Sequence, residues 1–444
     1  MTKNYLLLLS LIVAFTSCKN SQISHEQAQE ILSDSKWFHN SLDQLTDVIV
    51  HDIFSPPVAS RVYVYPCIAA YETLCQANNE YKSLSGQLNG LSEVPAASQK
   101  EDLYFELAAL EAFLTVSQAL IFSEEKMVNY SDDFYGKLDS LGLSDKHVKQ
   151  SKDYGKQVAQ HILTWADKDN YKQTRSDPKY SITDRPGEWK PTPPAYMEGI
   201  EPSWNNIRPL VIKTADQFRP VSPSKFDVSK NSQFFKETLE VYETGKQLKE
   251  EEKLIASFWD CNPYVMNQTG HMMFATKKIT PGGHWMGIAN IASEMSEHSL
   301  IESVETAMLV SISLFDAFIS CWDEKYRSKL IRPETVINEY IDESWKPLLQ
   351  TPPFPEHTSG HSVISTASAE MLTHLLGDNF AYTDDVELKY GLPVRKFSSF
   401  KEASAEAAIS RLYGGIHYMP AITEGVKQGE ALGKYLIDKL TTKK

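Results

Sequence analysis

Apolar residues recur at three- and four-residue intervals through most of the chain. Between His25 and Ile53 they fall at Ile31, Leu32, Phe38, Leu42, Leu45, Val48 and Ile49, the spacing of a helix with one buried face. Pro56-Pro57 is expected to end that helix, because proline breaks the backbone ladder. Further helices are predicted over 58–77, 103–122 and 144–168. No strand-like alternation persists, and no internal repeat is visible.

Residues 176–230 depart from this pattern. They hold Pro178, Pro186, Pro191, Pro193, Pro194, Pro202, Pro209, Pro220 and Pro223, with Trp189 and Trp204 between them. That much proline forbids regular helix, and the tryptophans argue for order. An irregular segment laid over a helical bundle, close to a site, is expected. Helical periodicity resumes over 232–259. The run Pro281-Gly282-Gly283-His284-Trp285 reads as a loop. Residues 286–323 are predicted as two helices broken near His298, interrupted by Glu294, Glu297, Glu302 and Glu305 and so unsuited to a membrane; no run after the first twenty residues reaches spanning length. Helices over 358–376, 400–413 and 421–440 complete the chain. The expected fold is all-α, with two packed helical bundles. The first covers 18–231, including the 176–230 loop. The second covers 232–444 and carries the site.

Composition narrows the class of function. Of 444 residues 42% are hydrophobic and 23% charged, which excludes a largely disordered chain. Lys and Arg number 44 against 58 Asp and Glu, a net charge of −14, the opposite of a nucleic-acid binder. At the N-terminus, Lys3 precedes an apolar stretch from Leu6 to Phe15, of signal-peptide length and short of the ~20 residues that span a bilayer. Thr16 and Ser17 then precede Cys18, in the manner of a bacterial lipobox. Residues 1–17 are therefore expected to be a signal peptide and Cys18 the lipidated first residue. The product is exported, in the periplasm or cell envelope, and meets a membrane only through that lipid. The other cysteines form no CxxC pair and are expected as buried thiols.

Three segments in the second half carry chemistry. One runs from Lys325 to Arg332-Pro333. The second is Phe354-Pro355-Glu356-His357-Thr358-Ser359-Gly360-His361. The third is Ser410-Arg411 followed by His417. Lys325, Arg332 and Arg411 are cations, two of them planar forks suited to a tetrahedral oxyanion. Ser359 and Gly360 stand at a predicted helix start, where backbone amides favour an anion. His361 can pass a proton, and His417 can ligate a metal or attack phosphorus. Together they describe a cage for a group of two or three negative charges.

This set, in this order, resembles the superfamily of type 2 phosphatidic acid phosphatases, bacterial acid phosphatases and vanadium-dependent haloperoxidases. The likeness is close over 260–435 and looser before it. The long helical first half, the Trp- and Pro-rich loop, Pro281 to Trp285, Phe315-Asp316-Ala317, Trp322 to Tyr326, and Pro353-Phe354-Pro355 look like the haloperoxidase branch, most of all the exported iodide-preferring enzymes of marine flavobacteria. The resemblance implies vanadate bonded to His417. It would be held by Lys325, Arg332, Arg411, Ser359, the Gly360 amide and His361. His361, Lys325 and His417 would be catalytic. Hydrogen peroxide and halide would be the substrates, with diffusible organic acceptors and a monomeric enzyme. Trp322, Phe354 and His357 are the expected halide pocket, with iodide preferred, bromide weak or absent and chloride inactive. His284 and Asp316 are expected to support the site or the core rather than to react.

Two alternatives remain open at this point. One is an exported acid phosphatase with His417 as nucleophile. The other is a lipoprotein that only binds an oxyanion. The phosphatase motif places an aspartate four residues after its nucleophilic histidine. Here that position is Ala421, which weakens the phosphatase reading unless Glu424 substitutes.

Overall fold

Ser24 caps the first helix, α1 (His25–Leu32), by accepting the Gln27 amide while Gln27 returns the bond. The chain, a computed structural model, is described over residues 23–269 and 272–444, and side chains of 266–275 are left aside. The signal peptide and Cys18 lie outside the described residues.

The single helix expected over 25–53 is two. The Asp34 carboxylate accepts the Lys36 amide at 2.9 Å and starts α2 (Lys36–His51) afresh. Pro56-Pro57 begins a helix instead of ending one. Ser55 accepts the Val58 amide, and the prolines occupy the first turn of α3 (Pro56–Cys75), where a missing N–H costs nothing. Next come α4 (Phe105–Leu120), α5 (Glu124–Asp139), α6 (Asp145–Ala166) and the single turn α7 (Tyr171–Thr174). Helix α5 escaped the pattern because it buries only Met127, Phe134 and Leu138.

After the proline-rich segment come α8 (Gln233–Lys246), α9 (Glu250–Phe258) and the antiparallel pair β1 (Met266–Thr269) and β2 (Met272–Ala275). Then follow α10 (Pro281–Met295), α11 (Leu300–Ser328), α12 (Pro333–Tyr340) and α13 (Gly360–Leu376). A second antiparallel pair, β3 (Tyr382–Asp384) and β4 (Arg395–Phe397), precedes α14 (Phe400–Tyr413) and α15 (Met419–Lys439). The Gly282-Gly283 run is thus helical and not a loop. Thr280 accepts the Gly283 amide at 3.1 Å, and that cap sets the first turn of α10.

Among the described residues the protein is all-α but for these two short ladders. Helix α11 is its axis, packed against α3, α10 and α13. By length and composition α11 is apolar enough to cross a membrane, contrary to the sequence expectation, but its whole apolar window is buried in the fold. The main apolar cluster runs from Ala28 to Leu436 and so draws on both sides of residue 232. Helix α15 approaches α13 closely because Gly425, Gly429 and Gly433 face it. A Cβ at Gly429 would sit 2.3 Å from the Val363 carbonyl oxygen.

The proline-rich segment is a strap over the end of α11. Asp316, buried on α11, accepts the amides of Leu210, Val211 and Ile212 at 2.7, 2.8 and 2.9 Å. The Trp189 amide donates to Lys329 O, Ile331 donates to Gly187 O, and Ile200 donates to Pro353 O. Trp322 and Tyr326 both donate to Ile200 O. The strap therefore clamps the loops that follow α11.

Candidate functional site

Three segments far apart in sequence meet in one buried region. Lys325 lies in the last turn of α11 and Arg332 caps α12. Ser359 caps α13 by accepting the Ser362 amide, and Gly360 and His361 form its first turn. Arg411 closes α14, and His417 sits in the loop before α15. Ser359 is tied to α15 through its amide, which donates to Ala421 O at 3.0 Å.

All three cations are desolvated: Lys325 and Arg332 are 0% exposed and Arg411 is 1% exposed. Lys325 donates to the carbonyls of Pro355, Glu356 and Thr358. Arg332 donates through Nε to Phe354 O at 2.9 Å and through Nη1 to Ile416 O at 2.8 Å. Arg411 donates through Nη1 to Trp259 O at 2.7 Å. These carbonyls orient the cations without neutralising them. Burial pulls Lys325 down to about 8 and Arg332 to about 10, so both stay charged at neutral pH. The carboxylates within reach are engaged elsewhere. Asp260 pairs with Lys278, and Glu324 with Arg327.

Glu356 is the exception, and the sequence reading passed over it. Its Oε1 accepts the Tyr418 amide at 2.9 Å and lies 2.8 Å from His417 Nδ1. An oxygen that already accepts requires Nδ1 to donate. On the other side, Arg332 Nη1 lies 3.2 Å from His417 Nε2 and can only donate, so Nε2 carries the lone pair. Both contacts select the same neutral tautomer. Burial and then the charge of Arg332 hold the His417 ring well below its ordinary pKa, which keeps that lone pair free. Glu424 does not take this role. It accepts the Val221 amide at 3.0 Å and pairs with Lys427. The carboxylate absent at Ala421 is supplied by Glu356, 61 residues before His417 and within the second motif, where an acid between a proline and a histidine was the available signal.

His361 is likewise buried and neutral, pushed well below its ordinary pKa by burial and then by Arg411. The Trp259 backbone holds one ring nitrogen, and Nε2 has no partner. Arg332 Nη2 and Arg411 Nε are also buried without partners. Such orphans are rare in native interiors. Two guanidinium donors and one imidazole lone pair, left open on residues near His417, suit a tetrahedral oxyanion carrying an exchangeable proton. The donor set fits vanadate or phosphate.

A pocket opens beside these groups, lined by Trp322, Phe354, Gly360, His361, Arg411 and His417, and also by Cys261, Asn262, Tyr264 and Phe318. The Trp322 and Phe354 rings are 5.0 Å apart, and Lys325 Nζ lies 5.1 Å from the Phe354 centroid. His357 is directed elsewhere. Its Nε2 lies 3.0 Å from Val221 O, it does not line the cavity, and burial lowers it to about 4. Tyr264 and Trp259 gave no signal in the sequence, since only their fold position brings them here.

A family model described as the second helical-bundle domain of VCPO matches residues 305–443. Among solved structures, the chain is similar to a bacterial protein described as the first bacterial vanadium-dependent iodoperoxidase. Identity is 51%, the TM-score is 0.88, and the match covers 92% of this chain and 97% of that one. A bacterial vanadium-dependent chloroperoxidase, in its holo form, shares the fold with a TM-score of 0.66 at 14% identity, over 87% of this chain and 93% of that one. No curated protein matches the chain.

Proposed function

The chain belongs to the vanadium-dependent haloperoxidases, and on that premise we propose that it uses vanadate to oxidise iodide with hydrogen peroxide. The observation that carries this reading is the buried excess of positive charge around the lone pair of His417. His417 Nε2 would ligate vanadium. Arg332, Arg411, Ser359 and the Gly360 amide would donate to the vanadate oxygens, and Lys325, whose three N–H groups go to backbone carbonyls, would add its positive charge beside them. When bound, vanadate supplies a Lewis acid that activates hydrogen peroxide toward halide without changing oxidation state. Glu356 fixes the His417 tautomer. His361, neutral and open at Nε2, takes a proton from the incoming peroxide and returns it. Trp322 and Phe354 exclude water and offer an aromatic wall to a large, weakly hydrated anion. The hypohalous product then halogenates diffusible organic acceptors.

The phosphatase and pure-binding alternatives lose their footing on family grounds. Ala421 no longer separates the branches, because Glu356 restores a carboxylate to the histidine.

The same reading includes export, supported by Lys3, the Leu6–Phe15 stretch and Thr16-Ser17-Cys18. It includes a lipid on Cys18, a monomeric enzyme and a division near residue 232. Detergent phase partition of wild type against Cys18→Ser tests the anchor.

The function is tested by loading purified full-length protein with vanadate. Triiodide should form with peroxide and iodide, bromination of a dye should be weak or absent, and chloride should be inert. His417→Ala should lose vanadate on gel filtration and drop to background. Absence of iodide oxidation after loading overturns the function, and efficient chloride oxidation overturns the halide order.

A further inference from the structure

A second buried cluster lies beside the cavity and has no part in the chemistry above. Cys261 Sγ is 3.6 Å from His284 Nδ1 and 3.6 Å from Glu387 Oε1, and His284 Nδ1 is 3.1 Å from Glu387 Oε1. All three are buried, at 1%, 0% and 5% exposure for Cys261, His284 and Glu387. The remaining ring nitrogen, His284 Nε2, lies 2.8 Å from Asp384 Oδ2, with Asp384 at 0% exposure.

We infer that Cys261, His284 and Glu387 form a binding site for a divalent cation of the zinc class, with Asp384 holding the histidine in its ligating tautomer. The triangle has the right size. Tetrahedral zinc bonds of about 2.3 Å to sulfur and about 2.0–2.1 Å to nitrogen or oxygen place sulfur about 3.5 Å from its neighbours and nitrogen about 3.3 Å from oxygen. The measured edges are 3.6, 3.6 and 3.1 Å. One ligand each of sulfur, nitrogen and carboxylate oxygen is a donor set that zinc accepts and that magnesium or calcium does not. A carboxylate behind the ligating histidine is the usual outer support of such sites.

The three ligands come from the 259–262 loop, α10 and the turn after β3. His284 stacks on Trp259 with centroids 4.6 Å apart, and the Trp259 carbonyl holds Arg411. The cation would therefore brace the floor of the vanadate cage.

Cobalt(II) reports the site directly. Chelator-washed, vanadate-free full-length protein should bind one cobalt per chain with a thiolate-to-cobalt charge-transfer band, and one equivalent of zinc should abolish the band. Cys261→Ser should lose the band, and Asp384→Asn, which keeps all three ligands, should weaken cobalt about 10–100-fold. Wild type that binds no stoichiometric cobalt, or binds it without the band, overturns the site. So does an unchanged band in Cys261→Ser. If either variant misfolds by circular dichroism, the wild-type titration decides alone.

Discussion

Arg61 and Arg332 are both buried, at 4% and 0% exposure, yet they are kept in opposite ways. Arg61 Nε meets Asp169 Oδ2 at 2.6 Å, Tyr65 donates to the same oxygen, and the guanidinium lies over the Tyr171 ring at 4.5 Å. That group is closed: charge, hydrogen bonds and packing are complete within the protein. Arg332 has carbonyls, a histidine lone pair and an orphaned Nη2, and it shares its surroundings with Lys325 and Arg411. A buried pair stabilises only when both members are present, and an unpaired buried ion costs several kcal/mol. The first region is architecture. The second is an incomplete salt bridge whose missing half arrives from solution.

His361→Ala separates charge from proton transfer most sharply. The neutral imidazole adds nothing to the excess charge, so vanadate retention should persist while turnover falls about 10²–10⁴-fold. Activity within a few-fold of wild type would make His361 a bystander.

Breaking each region by one residue should give opposite results. Asp169→Ala strands Arg61 and should destabilise the protein by about 3–5 kcal/mol with or without vanadate. Arg411→Met removes a desolvated charge and should be neutral or stabilising without vanadate, yet lose much of the stabilisation that vanadate gives wild type. Equilibrium unfolding with and without vanadate measures both, and equal losses in the vanadate-free proteins would erase the distinction.

Glu356→Ala removes the acceptor that dictates the His417 tautomer. Vanadate affinity should fall about 10–100-fold, by the usual cost of losing an outer partner of a metal ligand. Glu424→Gln should change it little, and the reverse order would reinstate Glu424.

Lys325 gives the smallest effect. Its proton is loosened to about 8 by burial, and an anion binds best to the protonated form. Vanadate affinity should therefore fall up to about tenfold per pH unit above 8. Lys325→Arg stays charged and should flatten that decline, and parallel profiles would show that Lys325 does not titrate there.

The three motifs were legible because each is local: a cation near a helix end, a capping serine before a glycine, an arginine six residues from a histidine. Helices α11, α13, α14 and α15 were legible for the same reason, since periodicity is written in neighbouring residues. Contacts closed by the fold were not. Glu356 was in view, but its partner His417 lies beyond α13 and α14, so no local pattern joins the two. Pro56-Pro57 and Pro281-Gly282-Gly283 misled because the residue that decides, Ser55 or Thr280, stands just before them. His357 lies next to a residue that matters and faces away from it.

The backbone of one residue links two properties that an engineer would want to set separately. Trp259 O receives Arg411, and the Trp259 backbone also holds His361. The first side chain grips the oxyanion and the second moves the proton. Remodelling of the 259–262 loop will shift both at once, so cofactor retention and turnover will trade against each other along a single axis. Variants selected for tighter loading through this loop will carry altered rates, and independent adjustment has to come from the far side of the cage, at Glu356 and Arg332.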